Sequence, residues 1–295
     1  MLILKGWLKY LMFDSFKNKW KIKIIETGTF KLDGGAMMGS VPKVLWNKTN
    51  PSDNLNRIDL SMRCLLLDNG TDIVLIETGI GNKNNQKFID MFCIVQSSFP
   101  LKDELNRHGY SLNDITHVIL THLHFDHAGG ATYFDGSNNL PTFPNAEYII
   151  SKTNWEAGIN PSPKDRASYL FENFMPIEEK KQLRLVDDNE EIMSSIHGLA
   201  FYGHTTGQQL IKITVDNDSL VFCSDLIPLR SHLKIPWIMG YDLNAMKTLE
   251  EKTLFLEEAS RKKWLLFFYH DPKTVAVRIE KDEKYYKIIE EYFAK

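Results

Sequence analysis

Short apolar runs separated by turn chemistry set the rhythm of this chain, and their periodicity predicts more strands than helices. Trp20–Glu26 alternates apolar and polar positions, as a half-buried strand does. Leu60–Leu67 and Ile73–Ile76 predict a strand pair around the turn signal Asp68-Asn69-Gly70. Further runs at Ile115–Leu120, Leu199–Tyr202, Gln209–Val215, Leu220–Ser224 and Trp264–Tyr269 also read as strands, with Asp216-Asn217-Asp218 closing a hairpin. Helical spacing is found over Asn84–Phe92, over Leu101–His108 with Gly109 as its stop, and over Asp242–Ser260 with Asp242 as a candidate N-cap. Lys281–Phe293, rich in Glu and Lys, is expected to be a terminal helix.

No Pro/Gly-rich or low-complexity stretch divides the pattern, so it predicts a single α/β domain over residues 19–295 behind an N-terminal extension, residues 1–18. With 295 residues, 43% of them hydrophobic, such a domain can bury a substantial core. Met1–Phe13 is apolar, but Lys5 and Lys9 interrupt it and no small-residue cleavage site follows. It therefore reads as a segment covering the body, meeting a second subunit or touching a membrane surface, with the first two favoured, and not as a signal peptide or membrane span. Met12 offers an alternative start.

Charge narrows the partners. A net charge of -3 and a pI near 6.3 give no electrostatic footprint for nucleic acid. Three cysteines at no recognisable spacing, Cys64, Cys93 and Cys223, fit free thiols in a reducing cytoplasm.

The chemistry is concentrated where strands end. Directly after Ile115–Leu120, the decapeptide Thr121–Gly130 holds His122, His124, Asp126 and His127, a density of metal-seeking groups that a folding core does not need. Structural zinc favours cysteine thiolates and a closed coordination shell, whereas this cluster offers imidazole and carboxylate without a nearby Cys. Gly129 and Gly130 suit a sharp turn beneath the ligands. Downstream strands deliver His204, Asp225 and His270 in the same way. Polar residues at strand ends are common singly, but a dinuclear centre needs more ligands than the decapeptide supplies, and Asp225 fits as the bridging carboxylate. His108, His117, His197 and His232 carry no such signal, although His232 is near enough to Asp225 in sequence to support a ligand from outside.

His122-x-His124-x-Asp126-His127, Gly203-His204-Thr205-Thr206-Gly207, Asp225 and His270 together resemble the ligand series of the metallo-beta-lactamase superfamily. That resemblance implies an αββα sandwich with metals at one edge of its paired sheets. It also implies one ion on His122, His124 and His204, a second on Asp126, His127 and His270, and Asp225 on both. Phe30–Trp46, Asp225-Leu226-Ile227-Pro228, Pro236-Trp237 and Tyr241-Asp242 are similar to the quorum-quenching acyl-homoserine lactonases. True beta-lactamases usually lack a histidine at the position of His127. One lactonase branch carries Tyr three residues after the bridging Asp, where this chain has Pro228; a branch acting on phosphotriesters and aryl esters lacks that Tyr as well. Glu77 replaces the usual Asp of an Asp-Thr-Gly turn, which leaves the support behind the ligands in question, and Gln208 stands where relatives often have a second His.

The expected activity is hydrolysis of small apolar lactones or esters, with a hydroxide shared by two divalent ions as nucleophile. Zinc is the expected ion, and the same ligands accept cobalt, iron or manganese. Asp126 is the candidate to pass a proton to the departing alkoxide. Met38, Trp46, Trp237 and Tyr241 are the candidate substrate-binding residues. The expected partner is a small-molecule substrate, with no nucleic acid and no membrane, in a homodimer. Phosphotriesterase or arylesterase activity is the alternative. A glutathione thioester hydrolase of this superfamily adds a C-terminal helical domain for which the 25 residues after His270 leave no room. A nuclease would carry a basic surface, an oxygen-reducing diiron protein Glu at position 124, and a non-catalytic binding protein a reduced ligand set.

Overall fold

β-branched and aromatic residues in short runs build two sheets here, with helices on the outside. The structure, a computed structural model, describes residues 12–283 and 285–294. In chain order the strands are β1 (Lys21–Asp33), β2 (Arg57–Asp68), β3 (Ile73–Ile76), β4 (His117–Ile119), β5 (Thr132–Phe134), β6 (Asn139–Pro141), β7 (Glu147–Ser151), β8 (Leu183–Val186), β9 (Glu191–Met193), β10 (Ile196–Phe201), β11 (Gln208–Val215), β12 (Asp218–Phe222), β13 (Leu265–Phe267), β14 (Thr274–Asp282) and β15 (Tyr285–Phe293). Among the described residues they form a six-stranded sheet, β1-β2-β3-β4-β7-β8, a seven-stranded sheet, β15-β14-β13-β12-β11-β10-β9, and the small hairpin β5-β6.

Each large sheet mixes pairings in a way that matters for function. β1, β2 and β3 pair antiparallel, then β3, β4, β7 and β8 run parallel. In the second sheet β12 and β13 are parallel and the other neighbours antiparallel. Parallel strands end at the same edge, so the long crossovers that join β3 to β4 and β12 to β13 bring the loops leaving those strands together. β2 and β3 are buried on both faces along nearly their whole length, as their continuous apolar runs require.

One core cluster joins the sheets, with Ile25, Leu65, Val74 and Ile119 from the first and Ile213, Phe222 and Phe267 from the second. A second cluster lies on the outer face of the seven-stranded sheet, where Phe255, Leu256 and Ala259 of helix Ala245–Lys262 cover Val221, Leu266, Val277 and Ile279. This is the αββα layering expected from the sequence. Met12 and Phe16 are also part of the first cluster, and Ser15 Oγ donates to Asp218 Oδ2 at 2.6 Å, so residues 12–18 are packed onto the body. The reading of Met1–Phe13 as a covering segment otherwise lies outside the described residues.

The expected terminal helix over Lys281–Phe293 is a strand. β15 pairs with β14 from Asp282↔Tyr285 to Thr274↔Phe293, with irregularities near both Ile279 and Val275. Tyr286 and Ile288 pack against the second cluster, and Arg278 holds Glu290 at 2.9 Å. Aromatic and β-branched content outweighed the Glu/Lys pattern because a sheet edge was available to pair with. Asp242 likewise does not cap the long helix; Asn244 does, accepting from Lys247 N.

Candidate metal centre

The ligand-rich turn leaves β4 without slack. Leu120 N donates to Ile149 O at 3.0 Å, and the chain then enters the one-turn helix Phe125–Ala128. Thr121 N donates to Glu77 Oε1 at 2.9 Å and Leu123 N to Asn154 Oδ1 at 3.0 Å, while His127 O accepts from Thr78 N and Oγ1 at 3.0 and 2.7 Å. Gly129 is helical, with φ -59, so a turn is not what demands glycine there. A Cβ on Gly129 would lie 2.2 Å from Ile80 O, and one on Gly130 2.2 Å from Thr78 O. The glycine pair lets the ligand turn press against the Glu77–Gly81 turn, a close approach of two backbones.

His204 follows β10, Asp225 follows β12 and His270 follows β13, all at the edge where Glu77 and His122 leave the first sheet. The structure brings all seven sequence-predicted ligands together, as two groups, His122/His124/His204 and Asp126/His127/His270. Asp225 lies between them, with Oδ2 3.3 Å from His204 Nε2 and Oδ1 3.3 Å from both His127 Nε2 and His270 Nε2. His204 Nε2 stands 3.3 Å from His124 Nδ1, His270 Nε2 stands 3.2 Å from His127 Nε2, and Asp126 Oδ2 lies 3.6 Å from His270 Nε2.

These spacings fit metal ions. Ligand atoms bound at about 2.0–2.2 Å around one tetrahedral ion stand about 3.3–3.6 Å from each other. His122 Nε2 and Asp225 Oδ1 are buried and have no hydrogen-bond partner among the described residues, as expected of lone pairs aimed at a cation. Glu77 also groups with His122 and His127, but its Oε2 faces His127 Nδ1 at 3.5 Å, on the opposite side of the ring from Asp225. It supports the ring from behind.

Three of the imidazoles that present Nε2 have a hydrogen-bond partner at the other nitrogen, while His127 Nδ1 faces Glu77 Oε2 without one. His122 Nδ1 meets Thr121 Oγ1 at 3.0 Å, which continues to Ser224 Oγ at 2.7 Å and Gln208 Nε2 at 2.9 Å. His204 Nδ1 meets Asp242 Oδ1 at 3.0 Å, and His270 Nδ1 meets Ser61 O at 3.0 Å. Glu77 thus sets a carboxylate charge behind His127, and Gln208 serves the chain behind His122. Such partners fix the ring and raise its basicity. His232 serves a different purpose, with Nε2 bonded to Met37 O at 2.9 Å.

Burial holds His122 and His124 well below the ordinary imidazole pKa, so both are neutral and able to ligate. At His127 burial acts downward, but the carboxylates of Asp225, Glu77 and Asp126 outweigh it and hold the ring well above its usual range. At His204 the Asp242 hydrogen bond and Asp225 overcome burial in the same direction. Asp225 is buried yet held well below the usual carboxylate range by His127 and His270. Without metal the site thus keeps protons on imidazole that a divalent cation would displace.

The walls differ from the sequence expectation in part. Met38 and Trp46 are 0% and 1% exposed within the core cluster and offer no surface to a ligand. Trp237 is 7% exposed and Tyr241 38%. Residues not predicted from the sequence stand closer to the candidate ligands. Tyr169 packs edge-on against His124, ring centroids 4.9 Å apart, and shares a 2.6 Å hydrogen bond with Thr205. Tyr269 stacks on His127 at 4.5 Å and donates to Asp126 O at 2.5 Å. Phe125, between two of the candidate ligands, meets Phe88 and Phe92 at 5.3 and 5.2 Å, and all three are only partly buried. The i, i+4 spacing of Phe88 and Phe92 on helix Gln86–Phe92 was the available signal.

Two facing sheets with histidines and carboxylates gathered at one edge define a metal-dependent hydrolase scaffold. The chain belongs to the metallo-beta-lactamase superfamily, whose sequence model matches residues 60–270. An N-acyl homoserine lactonase of Bacillus thuringiensis is 26% identical over 230 residues, covering 72% of this chain and 82% of the relative. A crystal structure of a probable metal-dependent hydrolase from Staphylococcus aureus superposes with a TM-score of 0.86 at 28% identity, over 94% of this chain and 98% of that one. AidC, a dizinc quorum-quenching lactonase, shares the fold with a TM-score of 0.76 at 21% identity, over 94% and 99% of the two chains.

Proposed function

We propose that this protein is a dinuclear metal-dependent hydrolase of carboxylic esters, acting on lactones or esters that carry an apolar chain. The observation that carries the reading is the array of seven buried side chains spaced as two ligand sets around Asp225. His122, His124 and His204 would hold one divalent ion, zinc being the first candidate, and Asp126, His127 and His270 the other. Ions held there supply a low-pKa water and an electrophile for a carbonyl oxygen.

The chain's own groups do the rest. Glu77, Asp242, Thr121 and the Ser61 carbonyl fix the imidazoles so that little reorganisation is needed when charge develops. Tyr269 holds the backbone of Asp126, keeping its carboxylate beside His270, where it can take the proton of the attacking hydroxyl and pass it to the departing alkoxide. Phe125, Phe88 and Phe92 give a partly exposed aromatic wall beginning at the ligand turn, suited to an alkyl chain. The lactonase identity of a relative covered over most of its length points the same way. No helix among the described residues is long and apolar enough to cross a membrane.

A second reading, aryl esters or phosphotriesters, is favoured by one observation. Pro228 is buried three residues after Asp225 and brings no hydroxyl toward a lactone carbonyl. The test assays chelator-stripped and zinc-reloaded protein on hexanoyl- and dodecanoyl-homoserine lactone, an aryl ester and a phosphotriester. Zinc-dependent kcat/KM highest on a lactone is the expected result; a preference for the phosphotriester selects the second reading, and no metal-dependent turnover of any of them refutes both.

A further inference from the structure

Helix Ala245–Lys262 carries a lysine with no exposed surface. Lys252 is 0% exposed, and its Nζ donates to Lys234 O at 3.2 Å and to Trp237 O. Both acceptors are backbone carbonyls. Burying an ammonium costs several kcal/mol, and an apolar side chain of similar volume is often at least as stabilising. What the lysine gains must therefore lie in the conformation of the loop that it holds.

That loop ends on the hydrogen-bond partner of a candidate metal ligand. Trp237 N returns to Lys234 O at 3.0 Å, Met239 N donates to Asp242 Oδ2 at 3.2 Å, and Asp242 N to Met239 O at 3.3 Å. The remaining oxygen of Asp242, Oδ1, is the partner of His204 Nδ1. The same helix holds the chain before His204 as well. Glu251 accepts from Tyr202 N and Gly203 N, both at 3.0 Å, and a Cβ on Gly203 would lie 2.4 Å from Thr248 N. His204 is thus gripped from both sides by one helix, with Glu251 fixing its backbone and Lys252 fixing the loop that brings Asp242 to its ring.

We propose that Lys252 is a positioning residue that locks the Lys234–Asp242 loop, sets Asp242 on His204 Nδ1, and thereby tunes the affinity of the His122/His124/His204 cluster for its ion. This rests on the reading of those three histidines as ligands. Ring orientation by an outer carboxylate governs ligand affinity, so a loosened Asp242 weakens one ion and leaves the Asp126/His127/His270 cluster unaffected.

The experiment titrates Co2+ into the stripped full-length protein against a competing chelator, following visible absorption, for wild type, Lys252→Met, Asp242→Asn, the double variant and His204→Ala. Asp242→Asn is expected to weaken one of two ions by about 10–100-fold and Lys252→Met the same ion by about tenfold. The double variant should bind as Asp242→Asn does, and Lys252→Gln, which keeps a donor, should recover part of the loss. A Lys252→Met protein with unchanged affinities, equal loss at both ions, or losses that multiply in the double variant would each overturn the proposal. If His204→Ala still binds both ions normally, the ligand reading fails instead.

Discussion

Replacing Glu77 by Gln tests whether the turn after β3 organises the metal centre. Glu77 is completely buried at φ 67; its Oε1 accepts from Thr121 N at 2.9 Å, and its Oε2 faces His127 Nδ1 at 3.5 Å without a hydrogen bond. A His127 that offers Nε2 to an ion carries its proton on Nδ1, so Oε2 turns a negative charge toward that proton. Glutamine has the same shape but one oxygen. Whichever way its amide turns, one buried N–H faces an NH2 group, at a cost of about 1–3 kcal/mol, roughly 5- to 150-fold in the equilibrium that depends on it. If the amide oxygen stays on Thr121, the loss falls on His127 and appears as weaker metal binding; if it turns to His127, Thr121 N is orphaned and the metal-free fold is weakened. Chelator competition measures the first and urea unfolding of stripped protein the second. Their changes should together reach that range. A Glu77→Gln protein with metal affinity within twofold of wild type and unchanged unfolding free energy would refute the role given to Glu77.

Other perturbations separate the remaining claims. His124→Ala should abolish metal-dependent turnover while far-UV circular dichroism stays native; full activity would remove His124 from the site. Lys83 donates to Gly129 O and Thr132 O, both at 2.6 Å, and burial pulls its pKa down to about 7. The folded protein then binds fewer protons than the unfolded chain between that value and the ordinary lysine range, so this group adds stability as pH rises above about 7, by at most about 1.4 kcal/mol per pH unit. Relative to Lys83→Met, the unfolding free energy of stripped wild type should climb from pH 7 to 9; a constant difference would contradict it. Phe88→Ala with Phe92→Ala should raise KM for a dodecanoyl lactone several-fold more than for a hexanoyl one, since each buried methylene contributes about 0.8 kcal/mol. Equal effects on both chain lengths would detach that aromatic wall from substrate binding.

The candidate metal site was legible in the sequence because metal-seeking side chains at strand exits have few other uses. His122, His124, Asp126, His127, His204, Asp225 and His270 are separated by up to 148 residues, yet each follows a short apolar run whose period of two or continuous burial announces a strand. What surrounds them was less legible. Thr121, Ser61 and Tyr269 act through single hydrogen bonds or one stacked ring, and nothing in residue type separates such a Tyr or Thr from any other buried one. Met38 and Trp46 illustrate the reverse problem, since an apolar residue on a short helix near a site can face the core as easily as the mouth. β15 was misread as a helix because its Glu/Lys spacing fits a solvated helical face, and only the presence of β14 as a pairing partner decides the matter.

The two candidate ligand sets share a property that neither sheet could supply alone. His122 and His124 come from the first sheet and His204 from the second; Asp126 and His127 come from the first and His270 from the second; Asp225, from the second, lies between the sets. Each ion would therefore cross-link the two halves of the sandwich. The outer partners are divided in the same way, with Glu77 behind His127 in the first half and Asp242 behind His204 in the second. Arg63 of β2 reaches across the interface, donating to Phe268 O and Asp271 O at 3.1 and 2.8 Å, so the strand exit bearing His270 is held by the opposite sheet before any ion binds. Placing the metal site at a seam makes its geometry depend on how the sheets pack, and Arg63, whose Nε also pairs with Glu26 at 2.8 Å, fixes that packing at the His270 exit.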